Sequence, residues 1–142
     1  MASAKVVRDI EAPAATVWAA ISDFNGLPKF AKGVTESSVE GDGVGAVRTI
    51  QTVDGRTIKE RLEKLDADGM ALCYSIVEPP MPFDNYRATM IVVPTGESTC
   101  QVQWGSTFEP TKAPEADLVA NFEKSYGGGL KGLKIYCEGT AG

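Results

Sequence analysis

Few side chains in this sequence could do chemistry, and their types narrow what that chemistry is. Histidine is absent, so the side chain that titrates near neutrality unaided is missing. Ser-His-Asp and Cys-His catalysis are excluded with it, as is every histidine-containing zinc site. Cys73, Cys100 and Cys137 stand far apart without a CxxC spacing. They read as reduced, mostly buried thiols of an intracellular protein rather than as a metal or redox pair. What remains is a carboxylate, Glu60, and three tyrosines, Tyr74, Tyr86 and Tyr126. A carboxylate among apolar groups is a candidate general acid or base, and a tyrosine hydroxyl, with a reference pKa of about 10, a weak donor beside it.

Motifs with a fixed mechanism do not add to that set. Gly41-Asp-Gly-Val-Gly45 lies between strand-like runs and reads as a turn, not a dinucleotide loop. No P-loop, HExxH, EF-hand or GxSxG pattern occurs. Asp66 and Asp68 flank a turn and read as surface punctuation. No metal and no cofactor is expected. Fourteen Lys and Arg against 19 Asp and Glu leave a net charge of −5, and Lys5, Arg8, Lys29 and Lys32 are scattered. A nucleic-acid partner, which needs a basic stripe, is not expected. No apolar run approaches the roughly 18 residues of a membrane span, and Met1–Lys5 carries no apolar stretch of a secretory signal. A cytoplasmic location is the expectation.

These side chains need elements to position them. At 142 residues the chain is long enough for one domain with its own core. Ala4–Glu11 is a β-prone run. Pro13 then stands where a helix begins, and Val17, Ile21 and Phe24 follow at helical spacing beside Trp18. A second short helix is expected around Leu27–Phe30. From Val34 to Glu109 strands alternate with turns: Gly41-Asp-Gly43, Asp54-Gly55, Asp68-Gly69, the bend Glu78-Pro-Pro-Met-Pro-Phe83 and Thr95-Gly-Glu97. They make an antiparallel meander. From about Pro114 to Glu138, Leu118, Phe122, Tyr126, Leu130, Leu133 and Cys137 form an apolar helical stripe. The order predicts an α+β fold, a curved six- or seven-stranded antiparallel sheet gripping one long C-terminal helix.

Strand alternation assigns the inward face. Cys100, Val102, Trp104, Ser106 and Phe108 share one face, as do Tyr86, Ala88, Met90 and Val92. Leu72, Tyr74 and Ile76 form a third inward row. Lys59, Arg61 and Glu63 are a solvent row, so Ile58, Glu60 and Leu62 point inward. A buried carboxylate is costly unless paired. Glu60 is therefore either a partly exposed residue paired with a surface Lys or Arg, or a polar anchor inside a cavity. The tyrosines are read as core rings or as pocket rings with a polar tip. Gly127-Gly128-Gly129 interrupts the helix at a cost of about 1 kcal/mol per glycine relative to alanine. It is expected to enlarge a space beneath the helix rather than to break it. Met81 and Phe83 in the Pro79–Phe83 bend form an exposed apolar patch, either a lid or a partner surface.

Several of these segments together resemble the SRPBCC superfamily. They are Ile10–Phe24, the strand Glu60-Arg-Leu-Glu-Lys-Leu-Asp66, Asn85-Tyr86, Trp104–Phe108 and Gly129-Leu-Lys-Gly-Leu133. The chain is most similar to the polyketide cyclase/dehydrase-type, START-like branch, with distant likeness to birch-allergen-type proteins and plant abscisic acid receptors. The resemblance spans essentially residues 1–142 as a single domain. It implies a helix-grip fold, seven antiparallel strands around the C-terminal helix with a hydrophobic cavity between, and it places Glu60 and Tyr86 in the cavity lining. Ala88 stands where the receptors carry a hydroxyl. Lys29 and Lys32 are candidates for the receptors' carboxylate-pairing lysine, and the turn Val53-Asp-Gly-Arg56 replaces their gate loop.

The expected function is a carrier or sensor binding a small hydrophobic or amphipathic molecule, such as a lipid. Its walls would be Leu62, Met90, Trp104, Phe108, Phe122 and Tyr126, with Gly129 above. Glu60, Tyr74 and Tyr86 would supply polar contacts, and Ala88 would line the floor. An alternative is a cyclase, aromatase or hydrolase using Glu60 as general base with a tyrosine donor. A third is a ligand-gated module for a protein partner, whose identity the sequence does not name.

Overall fold

A computed structural model describes residues 1–141, with side chains described through Gly139. Strand β1 (Ala2–Ile10) leads into helix α1 (Ala14–Ser22) and a short 3-10 helix at Leu27–Lys29. Six strands follow: β2 (Val34–Glu40), β3 (Val47–Thr52), β4 (Thr57–Asp66), β5 (Ala71–Glu78), β6 (Phe83–Pro94) and β7 (Cys100–Pro110). Helix α2 (Glu115–Ala141) completes the described chain. The seven strands form one antiparallel sheet in the order β1-β7-β6-β5-β4-β3-β2. A meander running from β2 to β7 thus takes β1 as its last neighbour.

Local chemistry sets these boundaries. The fixed φ of Pro13, −59°, prepares the first turn of α1, and its carbonyl accepts from the N–H groups of Thr16 and Val17. Asp23 leaves helical geometry, and its carboxylate receives the N–H of Asn25. In the β3–β4 turn Gly55 takes φ +86°, open to glycine without a Cβ penalty. The Thr52 hydroxyl receives the Arg56 N–H at 2.9 Å there. Strand β5 starts one residue later than its apolar run, because Met70 holds φ +50° in the turn. A second left-handed residue, Asn85 at φ +55°, makes the bulge between Asp84 and Arg87. Asparagine tolerates this region better than most residues.

Helix α2 lies across the concave face against β1 and β7. At 27 residues it is about 40 Å long, enough to cross the sheet. Glu115 and Asp117 stand in its first turn, where the helix dipole favours negative charge. Leu130, Leu133 and Cys137 in its C-terminal half have no exposed surface. They pack with Ile10, Val17 and Val102 into one apolar cluster. Cys73, Cys100 and Cys137 are buried. Among the described residues, no helix is long and apolar enough to cross a membrane.

Candidate ligand site

The concave face is ordered by strand register. Arg48 of β3 faces Glu60 of β4, and the row Leu62, Tyr74, Ala88, Ser106, Ala4 runs across β4, β5, β6, β7 and β1. Leu62, Tyr74, Ala88, Met90, Trp104 and Phe108 are all buried, as their alternation requires.

Glu60 is 7% exposed and Arg48 5%. The arginine Nε donates to Glu60 Oε1 at 2.8 Å, and Nη2 stands 2.8 Å from the same oxygen. Its Nη1 donates to the Phe24 carbonyl at 3.3 Å. The guanidinium lies over the Phe24 ring at 4.1 Å and the Tyr74 ring at 4.9 Å. Both readings of Glu60 change accordingly. Its partner is the buried Arg48 and not a surface cation, and both arginine contacts fall on Oε1. Arg48 was missed, although it shares a strand face with Ala46 and Ile50, both buried. That alternation beside an inward glutamate was the available signal.

Beyond this pair the interior is aromatic. Trp104 stacks on Tyr126 at 4.8 Å between ring centres, and Phe122 stacks on Tyr126 at 5.7 Å. Phe122 also meets Phe108 at 4.9 Å and Tyr86 at 5.1 Å. Polar tips sit among these rings. The Trp104 indole N–H donates to the Tyr74 hydroxyl at 3.1 Å, and the Tyr86 and Tyr126 hydroxyls share a short hydrogen bond. Burial pushes the Tyr126 hydroxyl up to about 12, against an opposing pull from hydrogen bonding. Burial, reinforced by nearby negative charge, holds Tyr74 and Tyr86 well above the ordinary tyrosine value. Ser106 is 6% exposed, and its Oγ makes no bond of acceptable geometry, although the hydroxyl acts on Tyr126 to lower its pKa.

Two expectations are corrected by packing. Gly129 does not enlarge a space: a Cβ there would stand 2.6 Å from the Trp104 ring, so the indole lies directly against the helix backbone. Gly132 is tighter, since a Cβ would fall 1.9 Å from the Phe30 carbonyl oxygen. Gly127 and Gly128 meet nothing within 4 Å. Beneath Gly129 and Gly132 the helix therefore rests on the Trp104 ring and the Phe30 carbonyl instead of on an enlarged space. The Pro79–Phe83 bend is likewise not an exposed patch. Phe83 is buried against Tyr86, Phe108 and Phe122, and Met81 is half-buried. Phe122 is the half-buried member of that ring group.

Neither candidate lysine reaches the interior. Lys29 is largely exposed and pairs with Asp23 at 3.5 Å, and Lys32 is exposed. Lys29, Asp23, Phe30 and Tyr136 instead line a surface groove of about 210 Å³ between α1 and α2. A wider groove of about 470 Å³ runs over the outer face of the sheet, past Lys5, Lys64 and Arg87.

A curved sheet closed by one long helix over an aromatic interior defines the helix-grip class. The chain belongs to the family described as polyketide cyclase/dehydrase and lipid transport, which it matches over residues 1–138, within the SRPBCC superfamily. The protein XoxI of Bacillus cereus superposes with a TM-score of 0.90 at 32% identity, covering 96% of both chains. Abscisic acid receptor PYL6 of Arabidopsis thaliana is 37% identical over 94 residues, 61% of this chain and 43% of the receptor. The chain thus spans less than half the length of that relative. Norcoclaurine synthase of Thalictrum flavum, in complex with dopamine and hydroxybenzaldehyde, shares the fold with a TM-score of 0.75 at 19% identity. The match covers 94% of this chain and 84% of the synthase.

Proposed function

We propose that this protein binds a small apolar or amphipathic molecule between the concave sheet face and α2, as a carrier or sensor. One observation carries the reading: hydroxyls of Tyr74, Tyr86, Tyr126 and Ser106 are buried within a single aromatic wall. Small-molecule sites are mostly apolar with a few convergent polar groups, and this wall has that composition. The printed ligands of relatives support the same class. PYL6 is a receptor for abscisic acid, and the synthase structure holds two small aromatic molecules.

Entry requires the ring group to part. Phe122 is the half-buried ring, and it stands on the N-terminal half of α2. That half is joined to the anchored C-terminal half through Gly127 and Gly128, whose flanks are open. Glycine weakens a helix by removing side-chain restraint, so the half carrying Phe122 would swing there as a lid while Leu130 and Leu133 stay seated.

The test is native mass spectrometry of protein purified from its own host, compared with the denatured mass. A reproducible non-covalent adduct, lost on denaturation, is the expected result. A mass equal to the bare chain under both conditions, with no adduct after incubation with host lipid extract, would count against a carrier.

A further inference from the structure

Resting on the binding reading above, the structure points to a second property: the chemistry of the ligand's inner end. We infer that this end is an uncharged oxygen, a hydroxyl or carbonyl, received by Ser106 Oγ and the Tyr86–Tyr126 hydroxyl pair, and not a carboxylate.

Ser106 supplies the first argument. Its hydroxyl is buried on the concave face with no well-formed hydrogen bond, its polar neighbour being the Tyr126 hydroxyl, and such groups in folded proteins call for a reason. Its cross-strand neighbours are Ala4 and Ala88, both buried and too short to offer a polar atom. The tyrosine pair supplies the second. When two hydroxyls bond to each other, one proton is used and the other stays free to donate. Both tyrosines hold their protons far above neutral pH because burial disfavours the phenolate. Ser106 and the pair can therefore give and accept hydrogen bonds, which matches a neutral oxygen.

The charges supply the third. Among the described residues, the buried charged side chains are Arg48 and Glu60. Each is engaged by the other, and the arginine is also bonded to the Phe24 carbonyl and covered by two rings. A ligand carboxylate beside Ser106 would be stripped of water and meet no adjacent cation, because Lys29 is outside and bound to Asp23, and the unpartnered Arg8 Nε belongs to a residue four positions along β1 from Ala4, which lies opposite Ser106. A buried ion without such a partner is disfavoured.

Three probes with one ring system separate the outcomes: naphthalene, 2-naphthol and 2-naphthoate, titrated by calorimetry at neutral pH. Naphthol is expected to bind more than about tenfold tighter than naphthoate. Ser106→Ala should weaken naphthol about fivefold and leave naphthalene unchanged, with an unchanged or higher Tm, since it removes an unsatisfied hydroxyl. Tyr126→Phe should act on naphthol in the same direction. Naphthoate binding as tightly as naphthol would overturn the inference, as would a Ser106→Ala effect that is absent or equal for naphthol and naphthalene. In those cases the apolar site stands and its polar assignment falls. No binding by naphthalene or either derivative would instead remove the site itself.

Discussion

Arg48 and Glu60 face each other across β3 and β4 as a buried ion pair, with Nη2 and Oε1 2.8 Å apart and both side chains less than a tenth exposed. The guanidinium lies over the Phe24 and Tyr74 rings. It also ties β3 to the segment after α1 through the Phe24 carbonyl.

That arrangement fixes the cost of breaking it. Removing one partner leaves a buried charge unpaired, so Glu60→Leu or Arg48→Met alone should destabilise by about 3–5 kcal/mol. The double variant should recover most of that loss, because an apolar pair of similar volume has no charge to desolvate. Urea unfolding of the four chains measures the coupling. Single variants that cost under about 1 kcal/mol would mean that the pair is hydrated, as surface pairs are.

The four glycines at positions 127, 128, 129 and 132 should divide into two classes. Gly127→Ala and Gly128→Ala meet open space, so each should stabilise α2 by up to about 1 kcal/mol. If the lid swings there, the same changes should slow ligand association. Gly129→Ala presses on the Trp104 ring and Gly132→Ala on the Phe30 carbonyl. Overpacking of this kind costs about 1–3 kcal/mol, and backbone contact makes Gly132 the worse site. Thermal melting of the four variants, with stopped-flow binding for the first two, checks both halves.

Alkaline pH should destabilise the protein in two stages. Burial raises Cys137 from 9.0 to about 11 and Tyr126 from 10.0 to about 12. A group that holds its proton more firmly when folded adds stability below its unfolded pKa and loses it as pH rises through the folded value. Stability should therefore be flat at neutral pH, begin to fall above 9.0 as the thiols ionise in the unfolded chain, and fall more steeply above 10.0. Tyr74 and Tyr86 shift in the same direction and steepen the second stage. Tyr126→Phe should flatten it. A melting temperature that stays constant to pH 11 would contradict the burial of these groups.

The sheet and the long helix were legible because their patterns are local. The alternation in Cys100–Phe108 and in Tyr86–Val92 set both inward faces, and Asp54-Gly55 marked a hairpin whose strands end and begin as read. Alternation also turned Glu60 inward. It turns Arg48 inward as well, but only the register across the two strands sets the arginine opposite Glu60. The same limit applies to Gly129. A missing side chain looks identical in sequence whether it leaves space or admits a ring, and the Trp104 indole decides between them. Phe83 was misplaced for a related reason. Proline-rich bends are usually exposed, but here the ring at the start of β6 turns in among Tyr86, Phe108 and Phe122.

The central claim is that a small molecule enters among these rings, and the two tryptophans give an internal comparison. Trp104 lies in the aromatic wall with its indole N–H on Tyr74, whereas Trp18 is half-buried on α1. The most direct measurement is therefore the two indole N–H resonances in a proton–nitrogen correlation spectrum during titration with 2-naphthol. The account predicts a saturable shift of the Trp104 resonance with Trp18 nearly stationary. A Trp104 resonance that does not move at saturating naphthol, or a shift confined to Trp18, would contradict it.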